Sequence, residues 1–590
     1  MKRLKAMILN SMRGITHAGI RFPMAVLGFL ATATVILSLI TTSWEQEFLP
    51  EKLMLTFLIG AVLGVTVQFV IERYRQTPKL RFFIYVIACL LIFGYFIMLN
   101  QELKISDSII IRSFVLIFAL LCIVLWIPSH SSQVDFNQIS LVHVKAAVTS
   151  LLYSGVLSIG FASIIAAVDI LLFDISTKSY SYVLTVIWIV FAPIYYLSLL
   201  PKFNEDDKEE QRKFKNMSLY PKFLEILISF IAIPLISAFT LVLLAYFLKI
   251  LITFTWPSGQ IGPMVLLYTI AGLAIYILAS LLENKFARYY RKLFPIILLP
   301  IVLIQLISIG IRVNFYGITE SRYYLLLFSI FAFLAGCMLM IKRLFHNGHV
   351  VLLAGILAII SVIPPVDAFT ISRISQINRL EDILRREGLL NNGDITKKEV
   401  GQETKVEVTS ILNYLDQNEA LSQLSWLPKD FDFNNDMEEV FGFTSSFRNN
   451  SIRYHSVFLD SQLPLPIEGY DVLFSINTSR AKKERDRTVS RFSINGVTYQ
   501  LKVSDLPDTR VAVEDENGIE LIGTTLTEFS QNILNTKEEI KDTMTSEELS
   551  FEVTNNGYQL KIIFQTISFM LENEKVENID CSMFVLFATP

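Results

Sequence analysis

The chain has 590 residues, 53% of them hydrophobic and only 18% charged, with a mean hydropathy of +0.50. Soluble domains carry about a quarter charged residues, so a wholly water-soluble protein is excluded. The net charge of −3 hides an asymmetry: from Val366 onward there are 22 Lys and Arg against 37 Asp and Glu, a net of −15, which leaves +12 before it. The acidic part argues against nucleic-acid binding.

A membrane-spanning helix needs about 20 apolar residues. In chain order, eleven stretches approach or meet that length: 22–44, 53–71, 82–99, 109–127, 148–173, 182–200, 223–248, 261–282, 294–311, 324–341 and 350–366. The last is short and broken by Pro364 and Pro365. The basic opening MKRLKAMILNSMRGITHAGIR runs into the first stretch without a small-residue cleavage site, so that stretch reads as a retained span. Lysine and arginine collect on one side, at Lys2, Arg3, Lys5, Arg13 and Arg21, then after the second span (Arg73, Arg75, Lys79, Arg81), the eighth (Lys285, Arg288, Arg291, Lys292) and the tenth (Lys342, Arg343). Cytoplasmic loops carry that excess, which places the N-terminus inside. The odd-numbered connections, such as EQEFLPEK and WPSGQ, are short and poor in cations. With eleven crossings, the polar C-terminal part emerges outside the cytoplasmic membrane.

Within the spans, ionisable residues are few, and each is a functional hypothesis because its burial in lipid is costly. Arg112 and Asp169 stand about one turn from the outer ends of the fourth and fifth spans. Either they pair or each snorkels separately to the interface. Gln68 and Gln305 lie deeper, as hydrogen-bonding groups between helices or as part of a polar path. Gly60 and Gly64 form a small-residue pair. Ser150, Ser154, Ser158, Ala162 and Ala166 recur every fourth residue, which suggests that the fifth helix is central. Pro234 suggests a kink in the seventh.

The stretch 367–393, DAFTISRISQINRLEDILRREGLLNNG, predicts an amphipathic joint helix. Ser372 is the expected N-cap, Ile374, Ile377, Leu380 and Leu384 the apolar face, and Asn391 to Gly393 the stop. Its Arg373, Arg379, Arg385 and Arg386 are candidate contacts for lipid headgroups or an anionic ligand. Residues 394–590 then read as an α+β extracytoplasmic domain. Helical spacing occurs at 404–417 and 525–544, and alternating strands from Tyr454 onward meet at Asn495-Gly496, Asn517-Gly518 and Asn556-Gly557, all two-residue hairpin signals. The resulting fold class is an all-α polytopic bundle (1–366), the joint helix and this α+β domain with antiparallel hairpins.

Catalytic patterns are missing from the sequence: it has no Walker loop, GxGxxG or GxSxG. The four cysteines, Cys89, Cys122, Cys337 and Cys581, offer no disulfide framework, and HNGH at 346–349 lacks the thiolates or carboxylates a zinc site uses. No cofactor is expected. The run NEDDKEEQRKFK at 204–215 reads as a solvated inner loop.

Three segments, Arg21-Phe22-Pro23, Trp256-Pro257-Ser258-Gly259 and above all 367–393 with Ser375-Gln376, Arg379-Leu380 and its Gly-Leu-Leu ending, resemble the uncharacterised bacterial multi-pass membrane family catalogued as domain of unknown function 4153. The resemblance implies a many-helix bundle in a bacterial cytoplasmic membrane and brings no catalytic residue. The expected function is that of a non-enzymatic envelope sensor or binding platform, or alternatively a secondary transporter. The expected partners are the lipid bilayer and an envelope ligand or second membrane protein.

Overall fold

A computed structural model describes residues 14–41, 48–74, 77–101, 104–130, 134–203, 208–253, 261–341, 347–391, 393–447, 452–460, 464–478, 486–504, 510–526, 529, 543–572 and 575–590. The WPSG segment and most of the helix expected at 525–544 lie outside them. The chain forms two compact units, one of residues 1–400 and 410–443, the other of 401–409 and 444–590. The unit holding the bundle thus runs beyond the joint helix.

That first unit is helical because lipid offers no partner for backbone groups, and a helix satisfies its own. Its apolar helices are α1 (Pro23–Thr41), α2 (Leu49–Tyr74), α3 (Pro78–Asn100), α4 (Asp107–Trp126), α5 (Phe136–Leu171) and α6 (Lys178–Ser198). After the amphipathic α7 (Lys208–Met217) come α8 (Lys222–Ile250), α9 (Ile261–Ala279), α10 (Lys285–Tyr316), α11 (Glu320–Met340) and α12 (Asn347–Ile360). Among the described residues ten helices are long and apolar enough to cross a membrane, and α12 is the shorter eleventh. The helical α7 replaces part of the expected inner loop.

Local chemistry explains where the helices depart from the hydropathy pattern. Helix α5 begins twelve residues early, N-capped by Asp135, because Phe136, Ile139, Leu141, Val142 and Ala146 bury against protein rather than lipid. Asn284 caps the early start of α10 by accepting from Ala287 N at 2.9 Å. In place of a simple proline kink, π-helical turns at Val186–Phe191 and Leu227–Ala232 precede Pro193 and Pro234, relieving the clash of each proline ring with the preceding turn. Helix α5 is not central. Ser150 and Ser154 are buried, but Val156, Ile159, Ile164 and Ile170 face outward, and nothing stands within 4 Å of a Cβ added at Gly155 or Gly160. The close approach falls instead between α1 and α2, where a Cβ on Gly64 would sit 2.8 Å from Ala25 N and one on Gly28 2.8 Å from Ala61 Cα.

Helix α12 spans only about 21 Å at 1.5 Å per residue, yet it runs antiparallel to α4 over most of the length of α4. At its start Asn347 Nδ2 donates to Asn137 Oδ1 (2.7 Å) and Ser280 Oγ (3.0 Å), and Gly348 lies against Phe136 and Ser129. Midway, Gly355 packs on Cys122. The turn through Pro364 and Pro365 continues the path, and Asp367 ends it beside Arg112, near the start of α4. The eleventh apolar segment therefore joins opposite ends of the bundle. Arg21, Glu72, His130, Asn137, Leu200, Ser280 and Asn347 mark one end, and Arg112, Tyr316, Glu320 and Asp367 the other.

At that second end, α13 (Ala368–Glu387) is capped by Asp367, which accepts from Phe369 N (3.2 Å) and Thr370 N (3.3 Å). Ser372, the expected N-cap, is buried inside the helix, and Gly388 with φ +75° ends it, before Asn391. A two-residue hairpin, β1 (Leu390–Asn391) with β2 (Asp394–Ile395), follows, then α14 (Gln402–Gln417).

The second unit is a sandwich. One sheet has β11 (Tyr558–Glu572) at its centre, paired with β12 (Lys575–Ala588) on one side and with β10 (Ser550–Asn555) and β3 (Ile452–Leu459) on the other. The edges of that sheet are β4 (Val472–Thr478) and the two-residue β9 (Thr543–Met544). The other sheet is the meander β5 (Asp486–Ile494), β6 (Val497–Ser504), β7 (Arg510–Asp515), β8 (Glu520–Thr525). Alternate residues, Leu560, Ile562 and Phe564 from one sheet and Leu501, Val503, Val511 and Val513 from the other, share one core. Asn495-Gly496 and Asn556-Gly557 make the expected two-residue turns with both residues at positive φ. At Asn517-Gly518 only the glycine has positive φ, and the loop is longer because Asp515 Oδ1 accepts from Asn517 N and Ile519 N.

Candidate functional site

Two polar clusters stand at opposite ends of the bundle, and each grows from a segment that carries the resemblance. At the first, Arg21 precedes Phe22-Pro23 and turns into the protein. Its Nε and Nη2 donate to Glu72 Oε1 (2.8 Å) and Oε2 (2.7 Å). Its Nη1 and Nη2 also reach Leu200 O (2.5 Å) and Pro201 O (3.1 Å), carbonyls of the segment just after α6. Gln68, one turn before Glu72, donates to Oε1 at 2.8 Å and accepts from the Tyr85 hydroxyl at 2.7 Å. The Arg21 guanidinium lies over Phe22 (4.7 Å) and Phe69 (5.8 Å). Arg21, Glu72 and Gln68 thereby tie α1, α2, α3 and the segment after α6 together. Beside them, His143 Nδ1 and the Tyr196 hydroxyl share a 2.5 Å hydrogen bond, with the imidazole stacked on Phe203.

At the second end, α13 closes on the α10–α11 connection. Gly317 has φ +68°, and a Cβ there would sit 2.8 Å from Gln376 Nε2. Gln376 Nε2 donates to Tyr316 O (3.1 Å) and Ile318 O (2.9 Å), while Ser375 Oγ accepts from Ile318 N (2.9 Å). The two side chains of the Ser375-Gln376 pair thus satisfy three backbone groups of the loop. Further ties come from Tyr323 OH to Val366 O (2.6 Å), Tyr414 OH to Glu320 Oε1 (2.5 Å) and Trp426 Nε1 to Glu381 Oε1 (3.2 Å). Burial and the Glu320 carboxylate raise the Tyr414 pKa. Asp367 is fully buried, and burial pushes its carboxyl upward, but the Thr370 hydroxyl and N–H and then the Arg112 guanidinium outweigh this and hold it below the usual carboxylate range.

The candidate residues divide accordingly. Arg112 reaches Asp367 Oδ1 at 2.7 Å and lies 5.0 Å from the centroid of the Phe369 ring, so its ion-pair partner is Asp367 and not Asp169. Asp169 instead accepts from Ile175 N at 2.6 Å, closing the end of α5. Gln68 belongs to the first cluster. Gln305 is 1% exposed, with neither amide atom hydrogen-bonded, and it lines a cavity of about 20 Å³ with Ser308 and Arg312. Arg379 lies over Tyr316, its Nη1 3.5 Å from Tyr316 O, whereas Arg385 and Arg386 point outward and pair with Glu381 (2.7 Å) and Glu387 (3.5 Å). Arg373 stands close enough to Tyr414 to act on it electrostatically.

Sequence reasoning missed Glu72, Asp367, the His143–Tyr196 pair and Glu320. The four-residue spacing of Gln68 and Glu72, which puts both on one helix face, and an acidic residue just after Pro-Pro, suited to N-capping, were the available signals. No group of three or more His, Cys, Asp or Glu that could hold a metal occurs among the described residues.

Apart from Tyr414 and Trp426, both clusters fall within residues 20–391, the stretch that matches the family model for the domain of unknown function 4153. The chain belongs to that family. The matched region ends at the β1–β2 hairpin, so the family is defined by the bundle and α13. An uncharacterised protein of Pasteurella multocida (strain Pm70) is 27% identical over 224 residues, which cover 37% of this chain and 37% of that protein. The chain thus matches little more than a third of the length of that curated relative. No solved structure matches.

Proposed function

We propose that this member of the family is a non-enzymatic binding platform of the bacterial envelope, with its sandwich domain on the outer side and α13 as the tether through which the occupancy of the domain acts on the bundle. The observation that carries the reading is the clamp on α13. The chain leaves the bundle, at the end opposite Arg21, through a helix held by the Arg112–Asp367 pair and by Ser375 and Gln376 on the α10–α11 connection. Cation-rich connections at the other end support that end being cytoplasmic, and the sandwich has a core of its own with which to present a surface.

A secondary transporter is the second reading, favoured by the polar groups inside the bundle, Gln305 above all. Complementation of a gene-deletion phenotype separates the two. A chain stopped after Phe443 retains the whole of the bundle unit. The platform reading predicts that it inserts but restores nothing, whereas full restoration would favour transport.

A further inference from the structure

The cavity at Gln305 has the chemistry of a small binding site. Gln305, Ser308 and Arg312 are spaced i, i+3, i+7 and share one face of α10. Opposite them stand the first described turn of α9, at Ile261 and Gly262, and Leu325 of α11. Both amide atoms of Gln305 are buried without a hydrogen-bond partner, a state that costs roughly 1–3 kcal/mol unless something occupies the space. The volume of about 20 Å³ admits one body the size of a water molecule or a monatomic ion.

The surroundings select the sign. Arg312 lines the cavity, and Arg312 and Arg379 stand close enough to Arg322 to act on it electrostatically. Arg322 and Arg379 both approach the Tyr316 carbonyl, at 3.1 and 3.5 Å. Among the described residues the lining has no carboxylate.

We propose that this cavity binds one monatomic anion of chloride's size. Gln305 Nε2 and the Ser308 hydroxyl act as donors, Arg312 as the counter-charge, and Arg322 and Arg379 add positive potential beside Arg312. The site lies within the family-defined bundle and is independent of any ligand of the sandwich domain.

The test is thermal unfolding of the full-length protein, purified in neutral detergent and chloride-free gluconate buffer, titrated with chloride or bromide at constant ionic strength. The expected result is a saturable rise in Tm whose midpoint weakens at least tenfold in Gln305→Leu and Arg312→Gln and is unchanged in Arg385→Gln, which breaks only the Glu381 pair. Ser308→Ala, a smaller change, replaces Gln305→Leu if that variant does not fold. No rise with halide, as for a cavity holding water alone, or a rise of equal size and midpoint in every variant, overturns the proposal. A rise produced only by phosphate or by anionic rather than zwitterionic lipid also overturns it, and assigns the arginines to a headgroup.

Discussion

Replacing Asp367 with Asn tests the clamp at its most buried charge. The carboxylate is fully buried and Arg112 is 33% exposed. Breaking a buried pair from one side costs about 3–5 kcal/mol, and the partial exposure of Arg112 puts the cost near the low end, about 3 kcal/mol. Asn caps a helix about as well as Asp, so α13 keeps its start, while Asp367→Ala adds about 1 kcal/mol for the lost cap. Because the damage is local, hydrogen exchange of the α13 amides reads it directly. At 1.4 kcal/mol per tenfold, Asp367→Asn speeds exchange over Ala368–Glu387 by about 100-fold and leaves the core strands β11 and β12 unchanged. A double-mutant cycle with Arg112→Met isolates the pair. Additive effects, with a coupling under about 0.5 kcal/mol, would refute the claim that these two charges hold the tether.

Acid should loosen the same clamp. The Asp367 pKa is lower in the folded protein than in the unfolded chain, so its contribution is fully present above the unfolded value of about 3.9. It is lost as pH falls through the lower folded value, so the protection of the α13 amides, taken as exchange relative to the intrinsic rate at each pH, should stay flat from pH 8 to 5, fall below about pH 4, and lose that fall in Asp367→Asn. Gly317→Ala puts a Cβ into both positive φ and Gln376, costing about 1–3 kcal/mol and speeding exchange at the α10–α11 connection and α13 together. At the other end, Glu72→Gln strands Arg21, which is only 8% exposed. A fall in detergent-solubilised Tm of several degrees is expected, with Arg21→Lys little better because an ammonium cannot make the fork.

Much of the architecture was legible because lipid imposes a local rule: a crossing must be a long apolar run, and ten of the eleven runs appear as long helices. The Asn-Gly turns at 495 and 556 were legible for a similar reason, since positive φ at both positions selects those residues. Contacts between distant segments leave no such period. Arg112 and Asp367 are 255 positions apart, and depth alone suggested Asp169 as the partner. Gln376 sits on the buried stripe of α13 with Ser372 and Leu380, while Ile374, expected on the apolar face, is exposed. The amide of Gln376 is needed against the Tyr316 and Ile318 carbonyls, a demand set by another helix pair. The every-fourth-residue serines of α5 misled because Ser150 bonds the Ala192 carbonyl and Ser158 only its own helix.

The central claim is that the α12 segment carries the chain from the end of the bundle at Arg21 to the opposite face. Fusing, after Pro590, a phosphatase active only outside the cytoplasm and, separately, a fluorescent protein that matures only inside tests it directly. Phosphatase activity without fluorescence is the predicted result. Fluorescence without phosphatase activity would contradict the eleventh crossing and place the acidic sandwich in the cytoplasm.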